Sequence, residues 1–140
     1  MVCNRKKVRT VKESEFKFSN PKLVKLDFIT NDDYVQKHDT AQKDIGISIN
    51  NHISTIDEKE AVVELEIEIG EKSNMFPFFM CLIIGAKFKL DDEIEGTNFD
   101  NLLNINAPTL LLSYARPIIS TVTAQAGMKP LNLPFFNFTK

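Results

Sequence analysis

The chain has 140 residues, enough for one domain, and 43% hydrophobic with 9% aromatic residues is the composition of a sequence that folds around a core. Its 17 Lys and Arg against 19 Asp and Glu leave a formal charge of -2, which supplies no broad basic field for phosphate backbones and argues against a nucleic-acid partner. Cys3 and Cys81 form no CxxC pair, the first twenty residues hold no apolar leader, and the apolar run from Met75 to Ala86 is too short to span a bilayer, so a reducing, cytoplasmic setting without membrane insertion is expected.

Residues 1–20 are charged and weakly patterned, with Arg5, Lys6, Lys7 and Arg9 clustered, and read as a flexible arm or an edge extension. The domain proper is expected over 21–140. From Leu23 to Thr30 the chain alternates, with Val24, Leu26 and Phe28 on one face and Lys25 and Asp27 on the other, as in a half-buried strand. The polar link from Asn31 to Gln42 is too long for a hairpin and is expected to cross the sheet.

A second strand is predicted from Asp44 to Thr55, with Ile45, Ile47, Ile49 and Ile53 on one face. The third, Ala61 to Ile69, places Val63, Leu65, Ile67 and Ile69 inward and Glu64, Glu66 and Glu68 outward. The fourth, Met75 to Leu90, carries Phe76, Phe78, Met80, Leu82, Ile84 and Phe88 on one face. Its opposite face holds Phe79, Cys81 and Ile83, where the preceding strands present Gly, Ser and Glu. A loop or a neighbouring subunit must cover that second apolar face, or it is a binding groove; each reading implies an interface.

Beyond Gly96 the period becomes helical, with Asn106 as the expected N-cap, Ala107 and Pro108 in the first turn, and an end near Ala126 before Gly127 and Pro130. Pro117 inside this helix removes a backbone donor, so a kink is expected there. Leu110, Tyr114, Ile118 and Val122 recur at four-residue steps. Leu111, Leu112, Ala115 and Ile119 widen the apolar arc to roughly 200°, where one packing surface needs about 100°. Such a helix requires two partners, its own sheet and the same helix of another subunit, with Leu111, Ala115, Ile119 and Val122 as the candidate oligomer interface. The predicted fold class is α+β, a four-stranded, mostly antiparallel sheet with a long kinked helix, assembling into a homo-oligomer.

Glycines at 46, 70, 85, 96 and 127 write neither a GxxxxGK[ST] phosphate cradle nor a GxGxxG dinucleotide loop. His38 and His52 lack metal-ligand spacing, and no serine sits in a GxSxG elbow. The carboxylates of Glu64, Glu66 and Glu68 alternate as a solvated strand face does. No catalytic residues, no metal and no cofactor are expected, and the chain is read as a non-enzyme.

The stretch from Ala107 to Phe138, APTLLLSYARPIISTVTAQAGMKPLNLPFFNF, closely resembles the signature of the SecB family, an APxLLFPYAR helix with a GGFPPLNLPPVNF segment after it. Upstream, the GAKF of the fourth strand and the later IEGT resemble the family's GG-aliphatic-Phe strand end, and the resemblance covers nearly all of residues 21–138. It implies an ATP-independent holdase chaperone, a homotetramer that grips unfolded polypeptides or preproteins in apolar surface grooves, for protein export or for a dedicated client such as an antitoxin. The groove residues it implies are Tyr34 and Val35 of the link, Phe79, Cys81 and Ile83 of the fourth strand, and Leu133, Phe135 and Phe136.

The resemblance also implies a partner in the translocase ATPase SecA, with departures. Lys25 and Cys81 stand where the family's acidic docking patch is matched, and the chain ends at Lys140, where the family continues into a further helix. A divergent member is expected. The alternative to a holdase is an interaction scaffold that keeps the fold without general chaperone activity.

Overall fold

The computed structural model describes residues 14–34, 46–73, 75–91 and 98–139. Five strands form one antiparallel sheet: β1 (Phe16–Phe18), β2 (Lys22–Thr30), β3 (Ile47–Asp57), β4 (Glu60–Gly70) and β5 (Phe78–Leu90). β5 runs centrally, flanked on one side by β4 and then β3, and on the other by β1 and β2 placed end to end. β2 and β3 lie at opposite edges of the sheet, and most of the polar link between them, residues 35–45, lies outside the described residues.

The fold class is the expected α+β, with a fifth strand added. β1 lies in the stretch read as an arm or edge extension, and it extends the edge: Phe16 pairs with Leu90 and Phe18 with Phe88. The Phe16 and Phe88 rings stack at 5.4 Å, and Asp91 and Lys17 close the end of the sheet with an ion pair at 2.6 Å. Three residues are too few for a period of two to stand out in a sequence.

Strict alternation on β4 places Ala61, Val63, Leu65, Ile67 and Ile69 fully out of water, against Phe78, Met80, Leu82, Ile84 and Phe88 of β5 and the buried face of a helix. On β2, Leu26 and Phe28 share that face, opposite Leu82 and Met80, but Val24 falls at a bulge between Leu23 and Lys25 and is exposed. Ile45 lies outside the described residues. Gly70 ends β4 at φ +80°, and a Cβ there would collide with the Phe78 carbonyl oxygen, so the turn into β5 requires glycine.

The helical part begins earlier than expected. Asn98, not Asn106, is the cap: its side chain accepts from the Asp100 amide at 2.8 Å, and the chain continues through α1 (Phe99–Asn101), a π-helical turn (Leu102–Asn106) and α2 (Ala107–Gln125). Asn106 is already helical and makes no capping bond. α2 continues through Pro117 and stops where predicted, with Gly127 at φ +79° and the Met128 amide bonding back to the Thr123 carbonyl at 3.1 Å.

α2 lies on β4 and β5. Leu111, Ala115 and Ile119, expected at the oligomer interface, are 0% exposed within the core of a single subunit, and Val122 packs against the same core. The wide arc is real, but its centre faces the chain's own sheet. A side chain with no exposed surface offers nothing to another subunit, so the assignment is corrected for Leu111, Ala115 and Ile119, while Val122 is half-buried; Pro117 is exposed nearby, and Tyr114, 43% exposed, meets Phe18 of β1 edge-on at 6.3 Å.

Candidate functional site

The register identifies the second face of β5. Ile83 lies between Glu66 and Lys25, Cys81 between Glu68 and Asp27, and Phe79 between Gly70 and Ile29, all on the side away from α2. Phe79, Cys81, Ile83 and Ile29 therefore form an apolar row bordered by the carboxylates of β4. Ile29 is 49% exposed, Phe79 and Ile83 are half-buried, and Cys81 is 6% exposed. The Lys72 ammonium stands 5.1 Å from the centre of the Phe79 ring.

Burial pushes the Cys81 thiol above its ordinary range, against the opposing pull of Lys25. Lys25 itself is raised, chiefly by its hydrogen bond with Asp27. The two positions matched to an acidic patch thus carry an ammonium and a protonated thiol.

β2 adds Ile29 to this surface at the sheet edge, while the exposed Leu23 and Leu26, opposite Ile84 and Leu82, lie on the helix side, Val24 is exposed at the bulge, and Tyr34 is exposed just beyond. Among the described residues β2 pairs only with β5, leaving one edge open. Asn31 fixes the end of this strand, its amide donating to the Glu71 and Phe76 carbonyls at 2.9 and 2.7 Å. Val35 lies outside the described residues.

Leu133, Phe135 and Phe136 belong to the other side of the sheet. Leu133 is buried in the helix-side core, Phe136 packs against it, and Phe135 is 81% exposed. Two polar clamps hold this strap. Thr123, fully buried, donates to the Ile119 carbonyl at 2.9 Å and accepts from the Leu131 amide at 2.9 Å; Arg116 Nε donates to the Leu133 carbonyl at 2.9 Å. The Arg116 guanidinium also lies 4.4 Å from the centre of the Phe135 ring.

The expected groove is therefore two surfaces: Tyr34, Phe79, Cys81 and Ile83 with the β2 edge, and Phe135 with Phe136 on the strap, while Leu133 is core. Sequence reasoning missed Ile29, Arg116 and Asn51. Asn51 interrupts the apolar alternation Ile47, Ile49, Ile53, and that break was a readable signal: its side chain donates to the Leu103 carbonyl of the π-helical turn at 3.2 Å. Among the described residues no three His, Cys, Asp or Glu side chains gather to hold a metal, and no helix is long and apolar enough to cross a membrane.

The profile of the family described as SecB, preprotein translocase subunit SecB, matches residues 23–140. A protein-export protein SecB of Anaplasma phagocytophilum is 35% identical over 80 residues, 55% of this chain and 51% of that protein. One of Chromobacterium violaceum is 28% identical over 98 residues, 70% of this chain and 65% of its own length. The chain thus spans about half to two-thirds of the length of these relatives. Among solved structures, the SecB-like chaperone Rv1957 of Mycobacterium tuberculosis, in complex with a ChAD peptide from the Rv1956 HigA1 antitoxin, superposes with a TM-score of 0.66 at 13% identity, covering 86% of this chain and 90% of that one.

Proposed function

This chain belongs to the SecB family, and on that premise we propose that it is an ATP-independent holdase of the cytoplasm that binds unfolded polypeptide in extended form. The observation that carries the reading is the apolar row Ile29, Phe79, Cys81 and Ile83 beside the β2 edge that is unpaired among the described residues. An extended chain has two unmet needs, apolar side chains to bury and backbone groups to pair; an open edge beside an apolar row meets both. The antitoxin peptide held by the structurally similar chaperone supports a polypeptide segment as the ligand.

Client holding, rather than docking to SecA, is the function proposed, because Lys25 and the buried Cys81 replace the acids that such docking would use. Assembly into a homotetramer is proposed through surfaces left exposed on one subunit, among them Pro117 of α2 and the 43% exposed Tyr114 beside Phe18.

The test is titration of a fluorescein-labelled, reduced and carboxymethylated polypeptide, without ATP, with mass measured by light scattering. Binding by an oligomer, weakened by Phe79→Ser, together with suppression of client aggregation at stoichiometric ratio, is expected. A stable oligomer with no affinity for the unfolded probe would make the chain an interaction scaffold and end the holdase reading.

A further inference from the structure

The sheet face away from α2 is unevenly charged. At one end its cations are already matched: Lys17 pairs with Asp91 at 2.6 Å, Lys87 with Glu60 at 2.6 Å and Lys89 with Asp91 at 3.9 Å. Farther along, Glu64, Glu66 and Glu68 of β4 stand beside Gly85, Ile83 and Cys81 of β5. Glu64 and Glu68 make no ion pair among the described residues, and the pair of Glu66 is with His52 at 3.8 Å, which is charged only when protonated. Lys25, across the row, is paired with Asp27 at 3.4 Å. Three carboxylates with little to balance them therefore border the apolar row.

The sequence holds a matching set of cations. Arg5, Lys7 and Arg9 recur at two-residue steps, with Lys6 between them, in residues 1–13, which lie outside the described residues. In an extended chain such residues share one side about 7 Å apart, the same spacing as Glu64, Glu66 and Glu68 along β4. The segment is also tethered within reach. The Glu15 carbonyl accepts from the Asp91 amide at 2.9 Å, which places Ser14 just past the end of β5, about 30 Å from Ile83 at about 3.3 Å per residue. Folded back from Ser14, an extended arm reaches about 30 Å by Arg5. That path brings Lys7 level with Glu64 and Arg5 level with Glu66.

Resting on the holdase reading above, we propose that residues 1–13 fold back along this face of their own chain and cover the apolar row, an internal occupant that a client must displace. Each exposed ion pair is weak by itself. The tether, however, holds the arm at an effective concentration in the millimolar range, so that a few weak pairs seat it. Neighbouring strands are about 4.8 Å apart, so an extended segment over Glu64 and Glu66 also covers Ile83 and Cys81. Salt loosens the arm, and apparent client affinity scales with the fraction of chains whose face is uncovered.

The experiment uses the full chain and a labelled unfolded peptide without ionisable side chains, titrated at low and at high salt. The arm-reversed variant Arg5→Glu/Lys7→Glu/Arg9→Glu is compared with one that adds Glu64→Lys/Glu66→Lys and so restores opposite charges. Separately, a zero-length carbodiimide couples lysines to carboxylates in a mixture of isotope-labelled and unlabelled chains refolded together, and mass spectrometry maps the links. Melting temperature and mass by light scattering accompany each variant.

Arm reversal is expected to tighten the probe by about tenfold at low salt and by less at high salt. The re-paired variant should return to the affinity of the unsubstituted chain. Lys6 or Lys7 should couple to Glu64 or Glu66 within a single copy.

Unchanged affinity on arm reversal, or weaker binding, which would make the arm a client contact, would overturn the proposal. So would links found only between labelled and unlabelled chains, which would give this face to the arm of a second copy. Probe binding by the arm-reversed variant alone would support both masking and the holdase reading. If neither chain binds any unfolded probe, the holdase reading fails and masking with it, while the coupling still decides whether the arm lies on this face.

Discussion

Thr123 gives the clearest test of what holds the C-terminal strap to α2. Its hydroxyl, fully buried, donates to the Ile119 carbonyl and accepts the Leu131 amide, both at 2.9 Å. Thr123→Val keeps the shape and removes the acceptor, so the Leu131 N–H is either buried unpaired, at about 1–3 kcal/mol, or reaches water by lifting the strap. The Ile119 carbonyl faces no equal loss, because a helical amide remains opposite it. Thr123→Ser keeps both bonds and loses a buried methyl, about 1 kcal/mol.

The expected order is therefore valine worse than serine, with valine costing about 2 kcal/mol. Urea unfolding at fixed protomer concentration gives the magnitudes, and amide exchange at Leu131 locates them. Faster exchange at Leu131 in the valine variant, with β4 amides unchanged, is the signature of a lifted strap. Serine as costly as valine, with Leu131 protected in both, would mean that packing rather than the hydroxyl secures the segment.

The remaining predictions test the core, the thiol and the sheet end. Ile119→Asp buries an unpaired carboxylate in the subunit's own core and should unfold the domain, whereas Tyr114→Glu, at a 43% exposed position beside Phe18, should lower the mass by light scattering with circular dichroism unchanged. An Ile119→Asp chain that stays folded would refute this placement of the helix. In a Cys3→Ser background, Cys81 should react with a disulfide reagent far more slowly at pH 7.5 than after denaturation, because its thiol is 6% exposed and burial keeps it protonated; equal rates would contradict that burial. The hydrogen bond from Lys17 holds the Asp91 carboxyl below its usual range, so its stabilising contribution is present above the ordinary Asp value of about 4 and is lost as pH falls through the depressed value. Asp91→Asn should thus lower the melting temperature at pH 6, with the difference closing toward pH 2; a constant gap would show that the ion pair is not its source.

Periodicity made the sheet legible because β3, β4 and β5 are long and burial tracks the alternation along all of β4, although Asn51 breaks it on β3 and β5 is apolar on both faces. It failed where elements are short or out of phase. β1 has three residues, and the Asn-rich stretch before α2 is π-helical, so Leu102 and Leu103 do not continue the period that reveals α2. Asn106 looked like a cap for the same reason: composition marks a helix start but does not say that the chain upstream is already wound. The arc on α2 was read correctly, but a period reports which residues share a face, not which face meets the chain's own sheet.

The same limit explains the split groove. Phe79, Cys81 and Ile83 shared a face by alternation, but nothing in a linear pattern says that Leu133 and Phe136 lie across the sheet from them. That division bears on how a client is held. A single enclosed pocket would select one side chain, whereas under the proposed holdase function a flat apolar row and a separate exposed ring, on opposite sides of one thin sheet, would contact an extended chain at points far apart along its length. Each contact is weak, and their joint engagement depends on a client long and flexible enough to reach both. A folded protein presents no such chain. On that proposal, discrimination between folded and unfolded clients comes from geometry.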